Sequence, residues 1–338
     1  MRLRSSRFAL AAALAAVLLF LNLSPLSGAQ AQSGAPQSSA AQAPPPSAPQ
    51  PAEQGDTPYT IRTKVEEVLL HATVYDHERV VNNLGRDNFF VFEDNVAQPI
   101  TSFRHDDIPV SMGIVIDNSG SMREKRPSVN TAALDLVRSS NPQDEVFIVN
   151  FNDERYLDQD FTNKISLLKE ALEKIDSRGG TALYDALEGA AEHLKLHARL
   201  DKKVILVVTD GEDNASRESL EQAVKYLQQD NGPQVFAIGL LGDDREGKRA
   251  KRALSLIAEH TGGQAFFPKD VSEVDAITQQ VAHDIRNQYT IGYKPSHAKS
   301  AGGYRQVRLE ARAKGMSKLV VRTRTGYYAA EEAKPEAK

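Results

Sequence analysis

From residue 112 onward, short unbroken apolar runs alternate with stretches of helical period. The runs are 112–116 (MGIVI), 146–151 (VFIVNF), 204–208 (VILVV), 235–241 (VFAIGLL) and, more weakly, 264–267. Between them, 165–175, 182–200, 220–227, 252–260 and 274–285 repeat their apolar residues at helical spacing. A strand that reads as a continuous apolar run is buried on both faces, as in a parallel sheet covered by helices. The expected fold is therefore α/β, a doubly wound, mostly parallel sheet with helices on both faces, over 110–286.

The flanks carry a different pattern. Residues 61–75 (IRTKVEEVLLHATVY) broadly alternate and are β-branched, and 88–93 (NFFVFE) is a second strand candidate followed by the turn-like Asp94-Asn95. Alternation returns after the α/β segment in QYTIGY, YRQVRLEA and LVVRTRTGYY, separated by loops bearing Gly302-Gly303 and Gly315. The N-terminal segment (59–107) and the C-terminal one (287–328) are each too short for a stable sheet of their own. They are expected to pair into one small β module, with the α/β domain inserted between them.

The N-terminus sets the expected compartment. Arg2, Arg4 and Arg7 precede an unbroken apolar run from Phe8 to Leu21, and Ala29-Gln30-Ala31 is a small-x-small cleavage signal. Residues 1–31 read as a secretory signal peptide, the apolar run being shorter than the ~20 residues of a membrane span. Cleavage removes three arginines and no acid, taking the formal charge from -4 to -7. No later stretch is long and apolar enough to span a bilayer. Residues 32–58 are Ala, Pro, Gln and Ser with hardly an aliphatic side chain, a composition that cannot bury enough surface to offset chain entropy. They are expected to form a disordered linker, and 329–338 a solvated tail. The product is expected to be extracytoplasmic, in the periplasm or secreted.

Composition narrows the chemistry. The chain contains no Cys, which excludes disulfides, thiolate zinc sites, iron–sulfur clusters and a Cys nucleophile. Lysines and arginines number 41 against 45 acids, so no basic excess points to nucleic acid. Any metal must then sit on oxygen or imidazole.

Oxygen donors gather in three places. Asp117-Asn118-Ser119-Gly120-Ser121 follows the first α/β strand, so a carboxylate and two hydroxyls leave a tight turn at the carboxyl end of the sheet, where open α/β folds bind ligands. Asp210 leaves the end of the VILVV strand in Thr209-Asp210-Gly211. Arg178-Gly179-Gly180-Thr181 supplies a third hydroxyl from a loop that two glycines can bend. Two carboxylates and three hydroxyls suit Mg²⁺, with Mn²⁺ or Ca²⁺ as alternatives, over Zn²⁺ or Cu²⁺. Each residue alone reads more simply as a turn or cap residue; the five together at one sheet edge do not.

The DxSxS turn, the Thr of the GGT loop and the Asp of TDG closely resemble the metal-ion-dependent adhesion site of von Willebrand factor type A (VWFA) domains. The order of elements from Val110 to Ile285 agrees with that family. The resemblance implies that Asp117, Ser119, Ser121, Thr181 and Asp210 are the metal ligands, matching all five side-chain elements of the motif. VEEVLLHATVYD, FFVFEDNVAQPITSF, TDGEDNAS and QYTIGYKPS further resemble a bacterial VWFA-related subgroup common in Acidobacteria, which has no assigned activity to transfer.

Other signals weigh less. Residues 242–249 nearly spell a P-loop, yet Arg249 stands where a hydroxyl would hold Mg²⁺. His193 and His197 lie four apart like half a zinc site, but Leu194 replaces the Glu of HExxH, and a solvated or interfacial helix face is the better reading. Asp213 is expected to cap the following helix, with a water-mediated contact to the metal as the alternative, and Asp185 to favour a helix N-terminus, with a place behind the metal ligands as its other role. Ser119 lacks the glycine flanks of a nucleophile elbow. The function expected is a non-enzymatic, divalent-cation-dependent protein-binding module, for adhesion or assembly, whose metal captures an Asp or Glu carboxylate of a partner protein. The alternatives are an accessory subunit docking a catalytic partner through the same site, and a metal-dependent hydrolase, which would need a general base that is not evident.

Overall fold

A computed structural model of the chain describes residues 67–77, 79–173, 177–316 and 318–329. The expected signal peptide (1–31) and linker (32–58) lie outside these residues, as does the expected tail from 330 onward. The elements run β1 (Val68–Asp76), β2 (Arg79–Val80), β3 (Phe89–Glu93), β4 (Val96–Gln98), β5 (Ile100–Arg104), β6 (Val110–Asp117), α1 (Arg126–Ser139), β7 (Glu145–Phe151) and β8 (Arg155–Thr162). They continue through α2 (Ile165–Glu173), α3 (Leu183–His197), β9 (Lys202–Thr209), α4 (Leu220–Leu227), β10 (Gln234–Gly239), α5 (Arg245–Thr261), β11 (Ala265–Phe266) and α6 (Val274–Arg286). The chain closes with β12 (Tyr289–Tyr293), β13 (Tyr304–Ala311), β14 (Leu319–Arg322) and β15 (Gly326–Tyr328).

The central sheet has the order β11-β10-β9-β6-β7-β8. Every neighbouring pair is parallel except β7 with β8. The chain steps from β6 to β7 on one side and reaches β9 on the other, so the crevice between the carboxyl ends of β6 and β9 is the point where strand order reverses. All residues of β6 are buried, as a strand covered on both faces requires. Val129, Leu136, Leu168 and Val281 bring α1, α2 and α6 onto one face. Leu187, Leu227 and Leu254 bring α3, α4 and α5 onto the other. Gly113 in β6 is required by this packing: a Cβ there would stand 2.5 Å from Cζ of Phe147.

Two elements of the domain escape the periodicity reading. α1 buries Ala132 and Ala133 beside Val129, Leu134 and Leu136, so its apolar stripe is faint among polar neighbours. β8 (RYLDQDFT) is an edge strand exposed over most of its length and shows no alternation. α5 also begins earlier than its apolar residues indicate. Its first turns are charged and solvated, and Asp244 caps them by accepting a hydrogen bond from Gly247 N at 2.7 Å. The near P-loop segment is therefore a capped helix start.

Strands from both flanks share two antiparallel sheets. One has the order β14-β1-β12-β5 with β2 on β1, the other β15-β13-β3-β4. β1 pairs with β12 and β14, and β3 with β13, so the flanks form one β module around Val68, Leu70, Val91, Ile291 and Leu309. The last alternating run of the sequence divides between the two sheets, as β14 and β15. At the centre of the module Glu93, wholly buried, accepts hydrogen bonds from Tyr293 Oη at 2.7 Å, Tyr327 Oη at 3.0 Å and Ser296 N at 2.9 Å. The module meets the α/β domain where Tyr75 Oη donates to Asp284 Oδ2 at 2.9 Å. Among the described residues no helix is long and apolar enough to cross a membrane.

At the opposite end of the sheet from the DxSxS turn, Lys202 is 2% exposed and donates from Nζ to the Ile285 carbonyl in the last turn of α6. Burial pushes its ammonium down to about 8, against the smaller pull of Asp107 and Asp144. The folded chain therefore releases this proton near pH 8, whereas an unfolded lysine keeps it to about 10.4. Between these values the unfolded state binds more protons, so stability rises with pH. Lys202→Met should be more stable than the wild type at pH 7, and the margin should shrink by about 3 kcal/mol by pH 10.5. Urea melts of both proteins across that range measure it; a margin independent of pH would show that Lys202 is solvated.

Candidate metal centre

β6 ends at Asp117, whose carboxylate is 0% exposed and locked from both sides. Its Oδ1 accepts from Ser119 N at 2.7 Å within the turn, and its Oδ2 from Thr209 Oγ1 at 2.6 Å across the reversal point. Ser119 and Ser121 bring their Oγ atoms to 3.1 Å of each other. Ser121 Oγ donates to Asp210 Oδ1 at 2.7 Å, and Lys125 Nζ to Asp210 Oδ2 at 2.5 Å. Four of the five expected residues are thus joined in one network.

Thr181 reaches the same place from a third loop. Its Oγ1 lies 3.6 Å from where a Cβ on Gly211, the residue after Asp210, would stand. The loop is fixed by backbone bonds to both neighbours: Arg178 N donates to Asn118 O at 3.0 Å, and Asn214 N to Thr181 O at 3.0 Å. Gly179 has φ 76°, the left-handed region that favours glycine. The carboxylate of Asp153 receives Gly180 N at 2.8 Å and leaves no room for a side chain at Gly179.

The donor set is all oxygen and fits a hard divalent cation. Asp210, with a side chain 1% exposed, already holds one cationic group, the Lys125 ammonium, which marks where positive charge is favoured. Burial pushes the Asp117 carboxyl above the usual carboxylate range, opposed by the Thr209 and Ser119 hydrogen bonds, and the charge of Asp210 raises it further. Among the described residues no group of three or more His, Asp or Glu side chains could hold a metal. The present set has only two carboxylates, and hydroxyls complete it.

Lys125 and Thr209 are the participants that sequence reasoning missed. Asp213 corrects an expectation: it caps α3, accepting from Tyr184 N at 2.9 Å, while α4 has its own capping box of Ser219 and Gln222. Asp185 holds the loop after β9 by accepting from Arg217 N and Glu218 N at 3.1 Å, instead of facing the ligand set. His193 packs on Phe147 and Phe161 and bonds Asp160 at 2.9 Å, a helix face against a strand.

The von Willebrand factor type A domain model matches residues 112–280. No curated protein matches the chain. Among solved structures, a von Willebrand factor type A protein from Catenulispora acidiphila is 13% identical, with 79% of this chain and 74% of that one covered and a TM-score of 0.46. Proximal thread matrix protein 1 from the mussel byssus, with a zinc-occupied MIDAS motif, is 20% identical over 57% and 50%, at 0.45. The PilB minor pilin from Streptococcus sanguinis is 16% identical over 56% and 63%, at 0.44. The chain spans less than two thirds of the pilin and of the byssus protein. Von Willebrand factor type A domains commonly mediate protein–protein interaction. The match extends over half of the sequence and includes both strand ends that build the oxygen-lined centre, and the chain belongs to the von Willebrand factor type A domain family.

Proposed function

We propose that the chain is an extracytoplasmic protein-binding module, with Asp117, Ser119, Ser121, Thr181 and Asp210 holding a divalent cation, Mg²⁺ or alternatively Mn²⁺ or Ca²⁺. The observation that carries this reading is the buried Asp210 carboxylate, with one oxygen on the Ser121 hydroxyl and the other on an ammonium. When bound, the cation supplies an open position at which a partner's carboxylate gains more than water does. The chain's own residues do the rest. Thr209 and the Ser119 backbone fix Asp117 in one orientation, so its carboxylate loses no freedom on binding. Ser119, Ser121 and Thr181 add neutral oxygens, which leave positive charge uncompensated for an acidic partner. Lys125, one third exposed, is free to turn toward solvent from a carboxylate that is not.

The test is retention of a partner from cell-envelope extract on immobilised protein in Mg²⁺ and in EDTA. Binding should be present in Mg²⁺, vanish in EDTA and return with Mg²⁺ or Mn²⁺. Thr181→Ala should lose most of it while melting within a few degrees of the wild type, because Thr181 stands in a loop. Equal retention in EDTA, or by Thr181→Ala, would place recognition on another surface.

A further inference from the structure

Next to this centre, a groove of about 720 Å³ runs between α1 and α2. At its inner end lies Arg126, only 5% exposed, whose Nη2 donates to Asn150 Oδ1 at 3.1 Å. Among the described residues its Nε and Nη1 have no hydrogen-bond partner, and neither has Oδ1 of Asn130, one turn further along α1. Asp117 and Asp158 act on the guanidinium only through space. A buried arginine ordinarily meets a carboxylate or several carbonyls, and this one meets a single amide.

The groove repeats the charge along its length. Arg123 lines the inner end, with Nη2 on the Ser177 carbonyl at 2.9 Å. Arg138, Lys169 and the Glu173 carboxylate line the outer end; the ion pairs of Arg138 with Asp135 and of Lys169 with Glu173, at 2.7 and 3.6 Å, leave both cations more than half exposed, and four cations face one acid in the lining. Between the ends, Pro127, Leu134 and Leu172 form an apolar stretch. A cationic groove on a chain of net charge -4 runs against the field of the whole molecule.

We propose that the α1–α2 groove is a second recognition site, which takes an extended acidic segment of a protein partner, its carboxylates facing Arg123 at the inner end and Arg138 and Lys169 at the outer end and offsetting, through space, the uncompensated charge of Arg126 beneath. Positions 126 and 138 lie about 18 Å apart along a helix. That distance corresponds to about five or six extended residues. The segment therefore carries acids at both ends and apolar side chains between them. An inorganic anion would leave the apolar stretch and the outer cations unused, which is why the site commits to a peptide. The inference needs no metal, so it stands or falls apart from the preceding reading.

The probe is the peptide acetyl-Glu-Ser-Leu-Ser-Leu-Ser-Glu-amide, whose two acids and two leucines share one face when extended, fluorescently labelled, titrated into the purified chain in EDTA, beside a copy with Lys in place of each Glu. The acidic peptide should bind and the basic one should not. The Arg126 Nε–H resonance, identified by its disappearance in Arg126→Lys, should move on titration. Since Arg126 is buried, the affinity test rests on the exposed pair: the doubly substituted Arg138→Ala, Lys169→Ala protein should bind about tenfold more weakly with an unchanged melt. Absence of binding, equal binding by the double variant, or a Nε–H resonance that stays in place would overturn the proposal and leave a hydrated groove.

Discussion

Mg²⁺ at about one hundred times its dissociation constant should stabilise the wild-type chain by about 2.7 kcal/mol and leave Asp117→Ala where it stood. For a domain of this size the gain corresponds to a rise in melting midpoint of about 5 to 10 °C. The expectation rests on the two carboxylates, Asp117 and Asp210, that the fold gathers at one crevice and keeps from water. Only the folded chain presents them together, so a cation that bridges their charges binds the folded state alone. Lys125→Gln separates the effects further. Removing the ammonium should lower the midpoint in EDTA, because Asp210 loses its cation, and should tighten Mg²⁺ binding about tenfold, because no charge has to be displaced. Calorimetric titration and thermal melts of the three proteins measure both quantities. Identical midpoints for wild type and Asp117→Ala at every Mg²⁺ concentration would remove the site assignment.

Glu93→Ala should cost about 3 to 5 kcal/mol and open the β module before the α/β domain. The carboxylate is the acceptor for two phenols and a backbone N–H in a place water does not reach, and alanine leaves all three donors without partners. Burial and the Glu93 carboxylate push the Tyr293 hydroxyl far above its ordinary range, so it cannot ionise instead. Glu93→Gln keeps one acceptor oxygen and should lose about half as much. The check is proteolysis of the native protein followed by mass spectrometry: cleavage should appear first within 67–104 and 289–328. Cleavage beginning in the α/β domain would show that Glu93 does not hold the module together.

The site's oxygen donors were readable because each ends a conspicuous segment: Asp117 follows MGIVI, Asp210 follows VILVVT, and Thr181 follows a glycine pair. Their convergence follows from strand order, and strand order in turn from the parallel pattern. Lys125 had no such marker. It precedes α1, the helix whose alanine stripe hides its own start, and its ion pair spans 85 residues that only the folded sheet brings together. Thr209 reads as one more β-branched residue until β6 and β9 are known to be neighbours. Arg126 looks in sequence like one of several solvated cations in a charged turn, and only its burial sets it apart. The module was legible as alternation on both flanks, but its division into two sheets was not, since alternation states which face is buried and not which strand lies alongside.

The pairing of β1 with β12 has a consequence for how the chain assembles. His71 and Thr290, hydrogen-bonded across these strands, are separated by 219 residues. The α/β domain closes on neighbours much nearer in sequence, such as β6 and β7, and can complete its core before so distant a pair meets. Folding it brings the end of α6 beside the start of β6, which shortens the loop that β1 and β12 must close and lowers its entropic cost. The domain thus acts as the template on which the module assembles. Until then β1 waits with both edges open, and its apolar Val68, Leu70 and Ala72 expose it to misassembly on the way to the native state.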